Sequence, residues 1–154
     1  MSEPEWLTEE ELTTWRPLMV MIHRLDAQLD RQLQRDAQMT HASYRILAIL
    51  STLEQYTPSM SELARQLDWS QSRLSHAMAS LEKSGWARRT PSATDKRSNL
   101  AQITDKGRRK LDEAARGHAA EARHLVLEAL TAEQRRCLAQ ISEVIIARAE
   151  SPRQ

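Results

Sequence analysis

The stretch from residue 61 to residue 111 decides the fold, and it reads SELARQLDWSQSRLSHAMASLEKSGWARRTPSATDKRSNLAQITDKGRRKL. Four apolar residues in it recur at the three- and four-residue spacing of one helical face. They are Leu74, Ala77, Met78 and Leu81. Ser70 stands where an N-cap residue is favoured, and Gly85 stands where a left-handed residue ends a helix. The spacing therefore predicts a helix over residues 70–84.

A second short helix is predicted directly before this one, over residues 60–67. Ser59 and Glu62 have the spacing of a capping box, in which each side chain bonds to the backbone N–H of the other residue. Trp69 and Leu74 occupy the positions of a hydrophobic staple around the N-cap of the following helix. The two helices are therefore joined by a tight turn.

The pattern changes from helical to extended after Gly85. Two short strands are predicted, from Trp86 to Thr90 and from Asn99 to Thr104, and the polar sequence PSATDKRS joins them. This predicts a hairpin near residues 86–104 with basic residues on its loop. A helix, a tight turn, a second helix and a basic hairpin together form the outline of a winged helix-turn-helix.

Longer helices are predicted on both sides of this region, and each begins at a threonine N-cap. Their ranges are 8–36, 41–55, 105–129 and 131–150. The first carries an apolar stripe about seven turns long, whose partner is another helix of the chain or a second copy. Gly117 lowers helix stability within 105–129 and marks a bend. The fold class is therefore mainly α with a small β-hairpin wing, in a single domain over 1–154.

The charge of the chain is concentrated in its central third. Residues 61–110 hold eleven Lys and Arg against five Asp and Glu, although the whole chain has a formal net charge of only +1. Such a block is expected of a surface that contacts phosphates, and a solvated basic face is the alternative. The predicted helix over 70–84 adds a polar side opposite its apolar one, which suits entry into the major groove of DNA. This side comprises Ser72, Arg73, Ser75, His76, Ala79, Ser80 and Lys83.

Several other functions are disfavoured by the composition. Three glycines and no nucleophile–base pattern argue against an enzyme. The spacing of His118 and His124 places them on different sides of a helix, so no metal or other cofactor is expected. Cys137, the only cysteine, is expected to be a buried packing residue, and the tryptophans, Trp15 among them, to pack in the core. The acidic start and the lack of a membrane-length apolar run favour a cytoplasmic protein with no membrane contact.

An ordered series of short motifs resembles the MarR family of bacterial regulators. The series is Leu81-Glu82 with Gly85, then Arg88-Arg89, then Asp95-Lys96-Arg97, then Ile103 to Gly107. The resemblance implies a two-fold homodimer with a DNA-binding lobe over 37–104 and dimerisation helices over 8–36 and 105–150. It also implies a fourth helix in the major groove and a wing motif, Asp-x-Arg, at the minor groove.

The resemblance assigns roles to individual residues. Ser70, Gln71, Ser72 and Arg73 fall where such proteins hold a phosphate, with Lys83 further along the same helix. Ser75 and His76 stand where relatives often carry Thr and Arg, so base preference does not transfer. In the wing, Asp95 orients a basic side chain, Lys96 contacts a phosphate and Arg97 reaches the minor groove.

The function expected from these observations is a sequence-specific transcription regulator, acting as a repressor, that binds double-stranded DNA at a pseudo-palindromic operator. The resemblance further implies a small-molecule effector, partly aromatic or anionic, bound between the dimerisation helices and the DNA-binding lobe. Two alternatives stay open on the residues alone. One is a helical protein–protein interaction module, and the other is an architectural DNA-binding protein without sequence preference.

Overall fold

The computed structural model describes residues 6–53, 56–92 and 98–150. The chain divides into two compact units, Met1–His118 and Ala119–Gln154. The first unit contains four helices, an antiparallel hairpin and most of a fifth helix. In chain order the elements are α1 (Glu9–Ala37), α2 (His41–Thr52), α3 (Met60–Leu67), α4 (Gln71–Ser84), β1 (Ala87–Pro91), β2 (Asn99–Ile103), α5 (Asp105–Ala122), a π-helical segment (Arg123–Leu127) and α6 (Ala132–Glu150). The predicted fold class, mainly α with a hairpin wing, is confirmed.

Side-chain caps set the starts of the helices. Thr8 and Ser59 each form a complete capping box, with Glu11 and Glu62 respectively. Thr131 forms the same reciprocal pair with Gln134 before α6. Each cap satisfies backbone N–H groups that have no partner within the helix. The helix starts predicted from these residues are therefore confirmed to within one residue.

The hydrophobic core of the first unit lies among α2, α3 and α4, the end of α1 and the hairpin. Leu33 from α1 and Leu111 from α5 are buried in the same cluster as the central helices. Full burial of each such side chain contributes about 1.5–3 kcal/mol to stability. The buried hydrophobic residues are Leu33, Ala37, Met39, Ile46, Leu47, Leu50, Leu63, Ala64, Leu67, Trp69, Leu74, Met78, Leu81, Ala87, Ala101, Leu111 and Ala114.

The hairpin pairs β1 with β2 in antiparallel register, from Ala87 opposite Ile103 to Pro91 opposite Asn99. Its second strand also joins the segment before α3. Ser59 forms a bridge with Leu100, and the Ala101 N–H donates to the Pro58 carbonyl oxygen at 2.9 Å. The wing is therefore attached to the helical core along β2.

Two predicted helix ends differ from the structure. α2 ends at Thr52, and the predicted end near residue 55 lies outside the described residues. α5 ends at Ala122, and the chain continues as a π-helical segment to Leu127 where a regular helix was predicted to 129. Gly117 lies within α5, where a Cβ would meet Nε2 of Gln32 at 2.9 Å. It therefore serves close packing against α1, and the departure from α-helical geometry begins six residues later.

In the second unit, an arginine side chain caps the end of the π-helical segment. The Glu128 N–H donates to the Arg123 carbonyl oxygen at 2.9 Å, five residues back, as in a π-helix. Nη1 of Arg135 then donates to the carbonyl oxygens of Leu127 at 2.6 Å and Leu130 at 2.7 Å. These bonds satisfy carbonyl groups that the end of the segment leaves without helical partners.

Two expectations about burial are wrong. Trp6 and Trp15, expected in the core, are 84% and 48% exposed, Trp15 on α1. Cys137, expected to be a buried packing residue, is exposed on α6. The physical reason is shared, because the apolar stripes of both helices lie uncovered in the single chain. Within the described residues, no helix is long and apolar enough to cross a membrane.

Candidate nucleic-acid interface

The turn between α3 and α4 is built by three consecutive residues. Asp68 adopts a left-handed conformation with φ of 54° and ends α3. Trp69 follows with only 9% of its surface exposed, and its N–H donates to the Ala64 carbonyl oxygen at 2.9 Å. Ser70 then caps α4, its Oγ accepting the Arg73 N–H at 3.2 Å. Trp69 and Leu74, the two residues of the predicted hydrophobic staple, are both buried in the same core cluster.

α4 has one buried and one exposed side, as predicted. Leu74, Met78 and Leu81 are fully buried and Ala77 is half-buried. We call the opposite, exposed side the polar face of α4. It comprises Ser72, Arg73, Ser75, His76, Ala79, Ser80 and Lys83. Short side chains on this face leave the helix narrow enough to approach a grooved surface closely.

The start of α4 presents a set of unpaired backbone donors. The first amides of a helix have no intrahelical partner, and the Ser70 hydroxyl satisfies only that of Arg73. Gln71 and Ser72 are exposed at this end. Free amides at a helix N-terminus favour anions such as phosphate. The predicted phosphate-holding residues are thus brought together in one exposed turn.

Two arginines lie over the indole ring of Trp69. The guanidinium carbon of Arg73 is 4.2 Å from the ring centroid, and that of Arg45, from α2, is 5.4 Å away. Sequence reasoning identified Arg73 and missed Arg45. No local pattern links positions 45 and 69, because the fold alone brings α2 to the start of α4.

The two arginines of β1 are held by other side chains. Nη2 of Arg89 donates to Oε2 of Glu82 at 2.6 Å, and Nε donates to Oε1 at 3.1 Å. These hydrogen bonds lower the pKa of Glu82 below its ordinary value and raise that of Arg89. Arg88 donates twice to Oε1 of Gln102, at 3.0 and 2.8 Å. Arg89 therefore fixes the hairpin to α4, and Arg88 links the two strands of the hairpin.

The residues after β2 lock the end of α4 in place. Gly85 ends that helix with φ of 72°, and its carbonyl oxygen accepts the Thr104 hydroxyl at 2.7 Å. Nζ of Lys106 donates to the Ser84 carbonyl oxygen at 2.8 Å. At Gly107 a Cβ would lie 1.9 Å from the Trp86 carbonyl oxygen. This segment therefore fixes the hairpin relative to α4.

The wing tip is only partly described. The Ser92 N–H donates to the Ser98 carbonyl oxygen at 2.9 Å, which closes the described end of the hairpin. Asp95, Lys96 and Arg97, the predicted wing contacts, lie outside the described residues. Their roles stay predictions.

A histidine pair links α2 and α5. The rings of His41 and His118 have centroids 5.5 Å apart, and the ring of Tyr44 is 4.2 Å from that of His118. Nδ1 of His41 lies 2.8 Å from Oδ1 of Asp26. Burial and the nearby charge of His41 lower the pKa of His118. Among the described residues, no group of three or more His, Cys, Asp or Glu side chains is arranged to hold a metal ion.

Two short helices with a tight turn, an exposed polar second helix and an antiparallel hairpin define a winged helix-turn-helix protein. Residues 37–98 match the model of the MarR family. Sco3205, a MarR family transcriptional regulator from Streptomyces coelicolor solved in complex with DNA, is 42% identical with a TM-score of 0.89, and the match covers 99% of this chain and 94% of Sco3205. The chain therefore belongs to the MarR family of transcriptional regulators.

Other relatives agree with this assignment. AbsC, a MarR family transcriptional regulator from Streptomyces coelicolor, is 30% identical with a TM-score of 0.85, over 94% of this chain and 97% of AbsC. The HTH-type transcriptional regulator PecS from Dickeya dadantii is 31% identical over 67% of this chain and 66% of PecS. The chain spans between 42% and 66% of the length of the curated relatives that it matches.

Proposed function

We propose that this protein is a transcription regulator that binds double-stranded DNA sequence-specifically, as a homodimer, in the cytoplasm. The observation that carries the proposal is the polar face of α4, which is exposed along its whole length beside a hairpin wing. A major groove about 12 Å wide admits such a helix, and small side chains allow its backbone to enter deeply. The DNA complex of Sco3205, at 42% identity, supports the same assignment.

The proposed contacts divide by chemistry. Ser75 and His76 lie on the polar face of α4, where hydroxyl and imidazole groups contact base edges. Ser70, Gln71, Ser72 and Arg73 hold a phosphate at the start of the helix, and Lys83 contacts the backbone further along. Asp95, Lys96 and Arg97 of the wing contact the adjacent minor groove, an assignment that rests on the family resemblance.

The dimer proposal rests on uncovered apolar faces. Ile22 of α1 is half exposed, and Val144 of α6 is 71% exposed. Soluble monomers rarely leave such large apolar side chains clustered in solvent. The exposed set on these two helices is Trp15, Met19, Val20, Met21, Ile22, Ile141, Val144, Ile145 and Ile146. A second copy of the chain covers these faces, and two-fold symmetry then matches a pseudo-palindromic operator.

A single charge tests the dimer. Ile145→Glu is expected to give a monomer near 17.7 kDa in sedimentation at micromolar concentration, and to lose operator binding. Gln140→Glu, on an exposed polar position of the same helix, is the matched control and leaves the dimer intact. A wild-type protein that sediments as a stable monomer would refute the proposed dimer.

The regulatory part of the proposal is repression relieved by a small, partly aromatic or anionic effector. It rests on the family resemblance alone. A panel of phenolic acids and metabolites is screened for a rise in melting temperature and for release of bound DNA. If no compound in the panel alters DNA binding, the proposal of an effector loses its support.

The function itself is tested with DNA selected from the organism's own genome. The purified protein is expected to enrich a short inverted repeat and to bind it about 10³–10⁷ times more tightly than random duplex at physiological salt. Equal binding to all duplexes would instead show an architectural protein. If the protein binds no duplex at low salt, the alternative function, a helical protein–protein interaction module, is favoured.

A further inference from the structure

Arg45 and Arg73 come from different helices and share one aromatic ring. Their guanidinium carbons lie 5.4 and 4.2 Å from the centroid of the Trp69 ring. The indole is 9% exposed, so surrounding core residues fix the plane of the ring. Both arginines are exposed. The ring therefore positions two cations at the surface of the protein.

These two cations have no carboxylate partner within residues 6–53, 56–92 and 98–150. In contrast, Arg89 of the hairpin is paired with Glu82 at 2.6 Å. Each cation is attracted to the face of the ring, and the two like charges held near one ring repel each other. An anion that contacts both guanidinium groups removes the repulsion.

The position of the pair identifies that anion. Trp69 directly precedes Ser70, the N-cap of α4, so the ring under Arg45 and Arg73 belongs to the turn that leads into the first amides of that helix. A phosphate at this turn would face backbone donors on one side and guanidinium groups on the other.

We infer that Arg45 is a further phosphate-contacting residue of the DNA interface, outside α4 and the wing, and that Trp69 is its positioning residue. The inference rests on the proposed function. The guanidinium of Arg45, which lies 5.4 Å from the ring centroid, offers planar N–H groups for bidentate contact with a phosphate, which a lysine ammonium cannot make. The contact adds affinity for any duplex and no base preference.

The first test is the salt dependence of DNA binding by Arg45→Gln. Loss of one phosphate contact per subunit is expected to reduce the slope of log affinity against log salt by about 1.8 for a dimer. The ratio of wild-type affinity to variant affinity would then fall about twelve-fold as the salt concentration rises from 50 to 200 mM. Specific and random duplexes should lose affinity in the same proportion. Arg116→Gln, an exposed position on α5, is the control for net charge and keeps the wild-type slope.

The second test locates the contact. Operator duplexes carrying one neutral methylphosphonate at each backbone position in turn are bound to wild type and to Arg45→Gln. The variant should lose its sensitivity at one phosphate per half-site and keep it elsewhere, and Arg45→Lys should recover the salt slope with weaker binding. An unchanged slope and an unchanged methylphosphonate profile would overturn the proposed role of Arg45 and leave the proposed function of the protein untouched. If the wild type binds no duplex, the proposed function itself fails.

Discussion

The guanidinium group of Arg89 forms a two-point ion pair with the carboxylate of Glu82, with Nη2 and Oε2 2.6 Å apart. The backbone N–H of Arg89 donates to Oε1 of the same carboxylate at 2.9 Å. Because Glu82 lies in the last turn of α4 and Arg89 lies in β1, this pair joins α4 to the wing. The motif residues Glu82 and Arg89 therefore hold the first strand of the wing against the end of α4.

Glu82→Gln should lower the free energy of unfolding by about 1–2 kcal/mol, because an amide offers the arginine one neutral acceptor in place of a charged pair. Wild-type stability should also fall with acid, since the ion pair lowers the pKa of Glu82. Glu82 therefore binds a proton more readily in the unfolded state than in the folded state. The stability that the ion pair contributes is present above about pH 4.5 and is lost as the pH falls through the folded-state pKa of Glu82. Urea unfolding at pH 7 and pH 4 measures both effects.

The control for this variant is Glu113→Gln. Glu113 pairs with Lys110 at 3.1 Å, but its side chain is 66% exposed, and exposed pairs contribute little. If Glu82→Gln lowers the free energy of unfolding no more than Glu113→Gln does, the structural role of the Glu82–Arg89 pair is contradicted.

Gly107→Ala should destabilise the protein by about 3 kcal/mol or more, because the new Cβ would lie 1.9 Å from the Trp86 carbonyl oxygen, a backbone atom that cannot move alone. Gly117→Ala is the matched glycine control. Its Cβ would meet only the end of the Gln32 side chain at 2.9 Å, and the gain in helix propensity is about 1 kcal/mol. Its stability should stay within about 1 kcal/mol of wild type. Thermal and urea unfolding compare the two, and equal effects would contradict the close approach at Gly107.

His118 should make the first unit less stable in mild acid. Burial and the charge of His41 lower the pKa of His118 from its ordinary 6.5, and Nδ1 has no hydrogen-bond partner among the described residues. The unfolded state therefore protonates first, so stability is full above about pH 6.5 and falls as the pH drops toward the folded-state pKa. His118→Leu should flatten the stability curve over this range. His23→Leu, at an exposed position, should leave the wild-type curve, and a His118→Leu curve as steep as wild type would rule out His118 as the source.

The parts of the fold that depend on local chemistry were predictable from the sequence. Capping residues such as Thr8, Ser59 and Ser70 act on amides three residues away, so their spacing alone predicts the helix starts. The division of α4 into a buried and an exposed side follows from the helical period in the same way. Both features needed no knowledge of the rest of the chain.

The features that sequence reasoning missed depend on residues distant in the chain. Arg45 and Trp69 are brought together by the packing of α2 against the turn, and Gly117 meets Gln32 of α1 in the same way. The π-helical segment after α5 was missed because such segments are rare and its residues carry no pattern that separates them from a regular helix. Cys137 was misplaced because an apolar stripe does not reveal whether its partner is the same chain or another.

The last prediction separates affinity from sequence choice within the proposed interface. His76 lies exposed on the polar face of α4, so His76→Ala should reduce the ratio of specific to random binding, with each lost base contact costing about 1–3 kcal/mol. The salt slope should stay nearly unchanged. Arg97, whose role rests on the family resemblance, should favour the negative potential of the minor groove. Arg97→Ala should weaken binding to all duplexes and reduce the slope by about one unit per monomer.

Both variants are best measured by fluorescence anisotropy over a salt series at pH 8, where imidazole groups are generally neutral and add no phosphate attraction. Under these conditions a change in slope reports a lost phosphate contact, and a change in the specificity ratio reports a lost base contact. His76→Ala should therefore lower the specificity ratio with little change in slope, and Arg97→Ala should lower the slope and the affinity for all duplexes. Arg97→Ala with wild-type affinity and slope would show that the wing does not touch DNA. His76→Ala with an unchanged specificity ratio would move base recognition to Ser75 and the other residues of the polar face of α4.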